Sequence, residues 1–287
     1  MAGRKLELPS YYICDHEVTQ GEYEKYCFYG VTINWDTWTQ NETTKVVKDD
    51  NYPACFVSWY DAIVYCNLRS IAEGLDPVYY FETTSDGTTT LVTDPAKWVD
   101  IVPGTTEDVK GRYRGPSPDN TVDPWSEIKQ DYTKSGWRLP LEAEWEYAAR
   151  GANGPDGTSE IETYLYSGSD TSEDVAWMGN NAVSDGYSYP NEVKQLSPNR
   201  LGLYDMSGNV VELCWDWYSD NLSAAAITGP ASPDTNYYVA APGGAYQWPR
   251  TLKAYNADEE GTKGRSSNPK NARFCNAGFR IVRTITE

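Results

Sequence analysis

Two stretches of the chain place apolar side chains at helical spacing behind a capping box, and a third stretch also has the composition of a helix. The first begins at the capping-box sequence Thr19–Glu22 and ends before Gly30. The second begins at Ser58–Asp61, continues with apolar residues at i, i+3, i+4 and i+7, and ends at Gly74. The third covers Leu141–Arg150, with acidic residues in its first turn. These patterns predict two amphipathic helices and a third helix.

Short runs of aromatic and β-branched residues predict strands. They are Tyr11–Ile13, Val78–Phe81, Tyr237–Val239 and Gly278–Val282. The stretch from 100 to 131 is polar, contains proline and has no period, which predicts a surface insertion. No repeat or linker divides the chain. We therefore predict a single α+β domain over residues 1–287, with little regular secondary structure and long loops.

Composition narrows the class of protein. Aromatic residues make up 14% of the 287 residues, which is enough for a sizeable core although only 39% are hydrophobic. The net charge of −18 excludes a nucleic-acid binder and disfavours an anionic membrane surface. The same charge also fits a secreted or surface protein that is kept soluble. No run is long or apolar enough to insert the domain into a membrane, and the N-terminus has no signal peptide.

The cysteines and the histidine indicate no zinc site. The six cysteines contain no Cys-x-x-Cys pair, and four lie in apolar surroundings typical of buried free thiols. His16 is the only histidine and directly precedes the first predicted helix. We therefore expect a structural role for His16. The sequence also contains no Ser-His-Asp triad signature, P-loop or nucleophile-elbow motif.

Four ordered blocks and a closing pair of strands resemble the formylglycine-generating-enzyme (sulfatase-modifying factor) family, a branch of the C-type-lectin-like folds. The blocks are His16–Tyr23, Val57–Asn67, Gly136–Gly151, Asn199–Trp217, and Gly243–Tyr246 with Gly278–Val282. The resemblance implies a C-type-lectin-like α+β fold, often stabilised by calcium. One departure from the family pattern is Leu141, where the family usually has a threonine as helix N-cap. The absence of the threonine cap should destabilise the helix by about 1 kcal/mol.

A structural calcium site is implied by the resemblance within Asp205–Glu212. The family uses the side chains at Asp205 and Glu212 and the backbone carbonyls at Gly208 and Val210. Carboxylate and carbonyl oxygens on a turn suit calcium. The alternative is that Asp205 and Glu212 are merely capping or solvated acidic side chains in a turn.

The family's oxidase chemistry needs two cysteines, five residues apart, to hold copper. Those positions are Trp248 and Lys253 here, and neither side chain binds copper(I). A related branch uses a histidine-ligated iron, which a chain with one histidine cannot build. We therefore predict that the protein is not an enzyme and binds no copper.

Residues 247–276 mix stiff aromatics with small polar residues and hold six of the chain's 24 basic residues. That composition is typical of a binding surface. The chain also resembles the variable proteins of diversity-generating retroelements, whose C-terminal segment is rewritten at scattered codons; here that segment would be 245–276. The contacts implied are Gln247, Trp248, Arg250, Lys253, Tyr255, Arg273, Phe274 and Asn276. The alternative is an ordinary irregular loop pair that covers the core.

The leading hypothesis is a non-catalytic ligand-binding protein at the cell surface or outside the cell, with an unknown protein or surface ligand as its partner. The abrupt start at Met1 predicts that an export signal or lipid anchor preceded the chain natively. The alternative is a family oxidase or accessory protein whose chemistry the sequence does not place. A fixed carbohydrate-binding module is a third option, without a calcium–sugar motif to support it.

Overall fold

The computed structural model describes residues 8–29, 49–102, 104–107, 110–115, 125, 127–152, 162–184, 187–218, 238–246 and 267–286. Within them the helices are α1 (Gln20–Glu24), α2 (Trp59–Ala72), α3 (Pro95–Trp98), α4 (Glu142–Ala149) and α5 (Ser172–Val175). The strands are β1 (Tyr11–Ile13), β2 (Tyr79–Ser85), β3 (Thr88–Val92), β4 (Thr106–Glu107), β5 (Tyr113–Arg114), β6 (Lys129–Gln130), β7 (Trp137–Arg138), β8 (Val183–Ser184), β9 (Tyr187–Ser188), β10 (Val211–Glu212), β11 (Tyr238–Ala240), β12 (Ser267–Pro269), β13 (Ala277–Gly278) and β14 (Val282–Thr284). Few helices and many short strands confirm the predicted α+β class.

Two small sheets close the chain on itself. In the first, β14 lies between β1 and β7, antiparallel to both. In the second, β13 runs parallel to β10. The predicted strand Gly278–Val282 is therefore divided between β13 and β14. The chain changes sheets between them, and the side chain of Arg280 is buried at that point.

The β2–β3 hairpin was not predicted, although its turn carries a strong local signal. Asp86 and Gly87 have φ values of 50° and 75°, the left-handed conformation that a two-residue hairpin turn requires. β6 pairs with the other edge of β2.

Helix α2 lies in the core, and its predicted capping box is confirmed. The Ser58 backbone N–H donates to Asp61 at 2.8 Å, and the Asp61 N–H donates to the Ser58 hydroxyl at 3.2 Å. Ten of its 14 residues are buried, and the Trp59 ring lies 4.9 Å from that of Trp215. α1 also has its predicted capping box but is a single short helix that ends at Glu24.

The predicted surface insertion at 100–131 is wrong in part, because this stretch contributes to the core. Trp125 is buried and packs edge-on against Phe81 and Trp98, with ring centroids 5.7 and 5.3 Å apart. Ile128 joins the same hydrophobic cluster. A lone tryptophan in a polar stretch has no period, so its burial could not be inferred from local pattern.

Helix α4 replaces its missing threonine cap with two carboxylates. Glu144 accepts a hydrogen bond from the Leu141 N–H at 2.8 Å, and Asp216 accepts one from the Glu142 N–H at 2.5 Å. Asp216 comes from a distant segment, so the expected capping cost at Leu141 is offset by a tertiary contact.

The longest helix of the described residues, α2, has 14 residues, whereas a bilayer span needs about 20. None of the helices described is long and apolar enough to cross a membrane.

Asp216 makes stability depend on pH. Burial raises its pKa from 3.8 to about 7, so the folded chain binds this proton more tightly than the unfolded chain. The free energy of unfolding should therefore fall as pH rises from about 4 to about 7. Asp205, whose pKa burial raises to about 6, acts in the same direction. In Asp216→Asn the decrease in the free energy of unfolding between pH 4 and 7 should be smaller by about 2–4 kcal/mol.

The measurement is urea unfolding at several pH values between 4 and 8. The matched control is Asp86→Asn, a neutralised aspartate that is exposed in a turn and should leave the pH dependence unchanged. Parallel curves for the wild type and Asp216→Asn would show that Asp216 is not the titrating group.

Candidate functional site

The C-terminal segment rejoins the fold where β13 meets β10. Val211 donates to the carbonyl of Asn276 at 2.8 Å, and Leu213 donates to that of Gly278 at 2.9 Å. A Cβ atom at Gly278 would lie 2.9 Å from Val210 Cγ2 and 3.1 Å from the Ala54 carbonyl oxygen. A side chain at Gly278 would therefore collide with the Val210 side chain and press on the backbone of Ala54.

The other border of the segment is held by glycine geometry. Gly243 and Gly244 have φ values of 98° and 73°, which only glycine adopts readily. A Cβ atom at Gly243 would also press on the Trp145 ring at 3.3 Å. Both borders are thus sterically fixed.

A buried ion pair connects the family-like blocks. Arg280 Nε and Nη2 each donate to one oxygen of Glu212 at 2.6 Å, and neither side chain is exposed to solvent. Trp145 Nε1 donates to the same carboxylate at 2.6 Å. Arg280 also donates to the carbonyls of Cys14 and Tyr204. β10, α4 and the chain between β13 and β14 therefore meet at one carboxylate.

Five of the eight predicted ligand contacts lie outside the described residues, namely Gln247, Trp248, Arg250, Lys253 and Tyr255. Of the other three, Phe274 is 40% exposed and presents its ring at the surface. Asn276 is partly buried, and its carbonyl belongs to the β10–β13 ladder. These two predictions stay predictions, with Phe274 the better placed.

The structure corrects the prediction that Arg273 contacts a ligand, because its side chain is bound to other parts of the fold. Its guanidinium donates to both oxygens of Asp61 at 2.7 and 3.0 Å and to the Gly115 carbonyl at 3.1 Å. Burial alone would raise the pKa of Asp61, but Arg273 holds it below its ordinary value. Arg273 thus anchors the segment to the start of α2. The sequence pattern indicated only the capping role of Asp61, because Arg273 lies far away along the chain.

Cys275 lies in a small cluster with Cys55 and Val210. The Tyr246 hydroxyl donates to its sulfur at 3.4 Å. Burial raises the pKa of Cys275, and burial raises that of Cys55 to about 12. Both thiols therefore stay protonated at neutral pH, unlike reactive cysteines. All six cysteines are free, and four of them are buried as predicted.

Of the two carboxylates in the predicted calcium motif, only Asp205 is placed to bind a cation. One Asp205 oxygen accepts from the Lys194 N–H at 2.8 Å, and the other is buried without a hydrogen bond from the described residues. Both Glu212 oxygens, by contrast, accept from Arg280. Gly208 has a φ of 81°, and a Cβ atom there would overlap the Trp177 carbonyl. The turn is therefore built, but Glu212 fits a calcium ligand poorly.

Glu17 is a third buried carboxylate beside this turn. It accepts from the Asn209 side-chain amide at 2.7 Å and from the Val210 N–H at 3.2 Å. Burial, followed by the charges of Asp205 and Glu212, raises its pKa well above the ordinary value. Three carboxylates here face one guanidinium, so protons or a bound cation must balance the excess negative charge.

The described residues contain no group of three histidine, cysteine, aspartate or glutamate side chains placed to hold a metal. His16 contacts Asp15 at 2.5 Å and Glu22 at 3.5 Å, which raises its pKa although burial opposes this. It lines a polar cleft of about 540 Å³ together with Glu22, Asp50, Glu192 and Lys194. His16 therefore lies in a network of charged side chains beside α1, and its structural role stays a prediction.

Fold and site together define a C-type-lectin-like domain whose closing strands frame a C-terminal segment. Residues 1–285 match the family described as the Sulfatase-modifying factor enzyme 1-like domain, and the chain belongs to that family. The chaperone protein LppX of Paenibacillus barcinonensis is 30% identical over 255 residues, covering 84% of this chain and 71% of that protein. The formylglycine-generating enzyme of Streptomyces coelicolor is 32% identical, covering 62% of this chain and 56% of the enzyme.

Solved structures show the same fold. Treponema denticola variable protein 1 matches with a TM-score of 0.66 at 25% identity, covering 98% of this chain and 86% of that one. CarF matches with a TM-score of 0.58 at 24% identity, covering 98% of this chain and 88% of that one. The family therefore includes enzymes, and the fold also occurs in a variable protein.

The Glu212–Arg280 pair should dominate stability. Arg280→Met leaves Glu212 buried without its guanidinium, and we expect urea unfolding to show a loss of about 3–5 kcal/mol. The double variant Glu212→Gln/Arg280→Met should lose clearly less than the sum of the single losses, because no charge is stranded. The matched control is the exposed pair Glu82–Lys129, where Lys129→Met should cost less than about 1 kcal/mol. If Arg280→Met and Lys129→Met lowered the free energy of unfolding equally, the anchoring role of the Glu212–Arg280 pair would be contradicted.

Proposed function

We propose that this protein is a non-catalytic ligand-binding protein whose C-terminal segment 245–276 forms the binding surface on a C-type-lectin-like scaffold. The observation that carries the proposal is the identity of two residues. Trp248 and Lys253 stand where the resemblance to the family's oxidases requires thiols. A copper(I) site needs soft sulfur ligands, which an indole and an ammonium do not supply.

The arrangement of the described residues supports this division between scaffold and surface. Gly243, Gly244 and Gly278 are fixed by backbone geometry or packing at the two borders of the segment. Phe274 points an aromatic ring outward beyond them. A rigid frame with exposed aromatic residues binds with little loss of conformational entropy.

The likeness to Treponema denticola variable protein 1 supports a further part of the proposal. It suggests that the segment is diversified by a retroelement and displayed outside the cell, from a surface or lipid-anchored protein whose ligand is a protein or another surface molecule. The alternative is a family oxidase or accessory protein, which the identity to formylglycine-generating enzymes favours.

Sequencing the 3′ end of the gene across a population of its source cells tests diversification. We expect substitutions crowded into codons 245–276, with Gly243, Gly244 and Gly278 unchanged because a side chain there collides or strains the backbone. A uniform segment would return the protein to a fixed function. Copper-dependent turnover of a sulfatase-derived peptide by the purified chain would instead establish the oxidase alternative.

Calcium is the second part of the scaffold proposal. We expect millimolar calcium to raise the melting temperature, since a ligand at about 100 times its Kd adds about 2.7 kcal/mol to the free energy of unfolding. Asp205→Asn should remove most of this effect because it neutralises the carboxylate with the buried, unbonded oxygen. The control is Asp86→Asn, an exposed turn residue. Identical melting in calcium and in chelator would show that protons, and not calcium, balance the buried carboxylates.

A further inference from the structure

The stretch before α2 runs antiparallel to the end of the C-terminal segment. The Trp59 N–H donates to the Lys270 carbonyl at 3.1 Å, and the Phe56 N–H donates to the Phe274 carbonyl at 2.9 Å. The residue number of the acceptor rises from 270 to 274 as that of the donor falls from 59 to 56. The two stretches therefore pass each other in opposite directions.

This alignment places Cys55 opposite Cys275. Cys55 directly precedes the donor of the bond between Phe56 and Phe274, and Cys275 directly follows its acceptor. Residues in this relation face each other in an antiparallel pair, with their Cα atoms about 4.5–5.5 Å apart. A disulfide bond usually joins Cα atoms that are roughly 4.4–6.8 Å apart. The backbone spacing at Cys55 and Cys275 therefore suits a disulfide bond.

The two thiol side chains lie on the same side of this pairing. Both pack in the small cluster that contains Val210. Burial, followed by the neighbouring Cys275 thiol, raises the pKa of Cys55 to about 12. The Tyr246 hydroxyl donates to the Cys275 sulfur at 3.4 Å, and burial, followed by the charges of Cys275 and Cys55, raises the pKa of Tyr246. The thiols are therefore neighbours as well as their backbones.

We infer that Cys55 and Cys275 are a site of covalent modification, at which the two thiols join as a disulfide bond in oxidising surroundings. The oxidant is a low-molecular-weight disulfide such as oxidised glutathione. One cysteine thiolate attacks it, forms a mixed disulfide and releases one glutathione thiolate. The second cysteine thiolate attacks the mixed disulfide and releases the other. The two cysteines lose two electrons and two protons, and the oxidant becomes two thiols.

Burial decides when this exchange takes place. The attacking species is a thiolate, so the raised pKa values make exchange slow in the folded chain. The bond therefore forms while the chain folds, before Cys55 is buried. In the folded chain Cys275 is partly exposed and Cys55 is buried. A reductant then reaches the closed bond only from the Cys275 side, which slows its reduction.

The bond adds a covalent anchor to the end of the C-terminal segment. Arg273 is held by Asp61, and Cys275 is then held by Cys55. Phe274, with its exposed ring, lies between these two anchored neighbours. A side chain presented in a fixed position loses less conformational entropy when it binds. This role at Phe274 rests on the proposed function, whereas the bond itself needs only two thiols and an oxidant.

The test uses the full chain, reduced and unfolded, and then refolded in a buffer of reduced and oxidised glutathione. We expect the free thiols, titrated after denaturation, to fall from six to four. Mass spectrometry of peptides prepared without reductant should find the peptide with Cys55 joined to the peptide with Cys275. Six remaining free thiols, or a bond that joins other cysteines, would overturn the inference.

Thermal unfolding with matched variants checks the anchoring effect. Because the bond closes a very long loop, the oxidised chain should melt on the order of 5–10 °C above the chain refolded with reductant. Cys275→Ser should abolish this difference, and Cys14→Ser, which changes another partly exposed cysteine, should keep it. Should Cys275→Ser fail to fold, Cys55→Ala is the second variant, with the same expectation. A difference that persists in either folded variant would contradict the assignment.

The bond and the proposed function fail in different ways. Six free thiols together with a diversified 3′ end remove the bond and leave the ligand surface standing. A bond between Cys55 and Cys275 together with a uniform 3′ end keeps the anchor, in a protein of fixed function. Where codon 275 differs, the bond is confined to chains that carry cysteine there.

Discussion

The buried Glu212–Arg280 ion pair holds together the strands and the helix around which the domain is built. Its two side chains are fully removed from solvent and meet through paired 2.6 Å hydrogen bonds. A charge in such a place is tolerated only with nearly ideal geometry, so the pair requires β10, β13 and α4 to meet in one register. Trp145 adds a third donor to the same carboxylate. The closing strands are therefore held in a fixed position relative to α4.

That constraint explains the contrast between the borders and the interior of the C-terminal segment. Gly243 and Gly278 admit no side chain without strain or collision, and Arg273 is held by Asp61 beside α2. Phe274, next to Arg273, projects its ring into solvent. Anchoring and exposed positions thus alternate within a few residues. The exposed side chain of Phe274 therefore takes no part in the contacts that hold this segment to the core.

The acidic composition extends to the interior, where several carboxylates are buried. Asp216 caps α4, Asp61 pairs with Arg273, and Glu212 pairs with Arg280. Glu17 and Asp205 have no cation of their own among the described residues, and burial raises the pKa of both. The buried carboxylates are therefore of two kinds, those paired with a guanidinium or a helix N-terminus and those held partly by protons.

Features that depend on neighbours within one helical turn, or on a single turn residue, follow from the amino-acid sequence alone. The capping boxes at Thr19 and Ser58 and the family blocks were predicted from local pattern, and the Asp86-Gly87 hairpin could have been. The burial of Trp125, the capping of α4 by Asp216 and the pairing of Arg273 with Asp61 became apparent only in the folded chain. The physical reason is that each of these depends on a partner far away along the chain. Local spacing carries no information about which distant carboxylate or ring will be there.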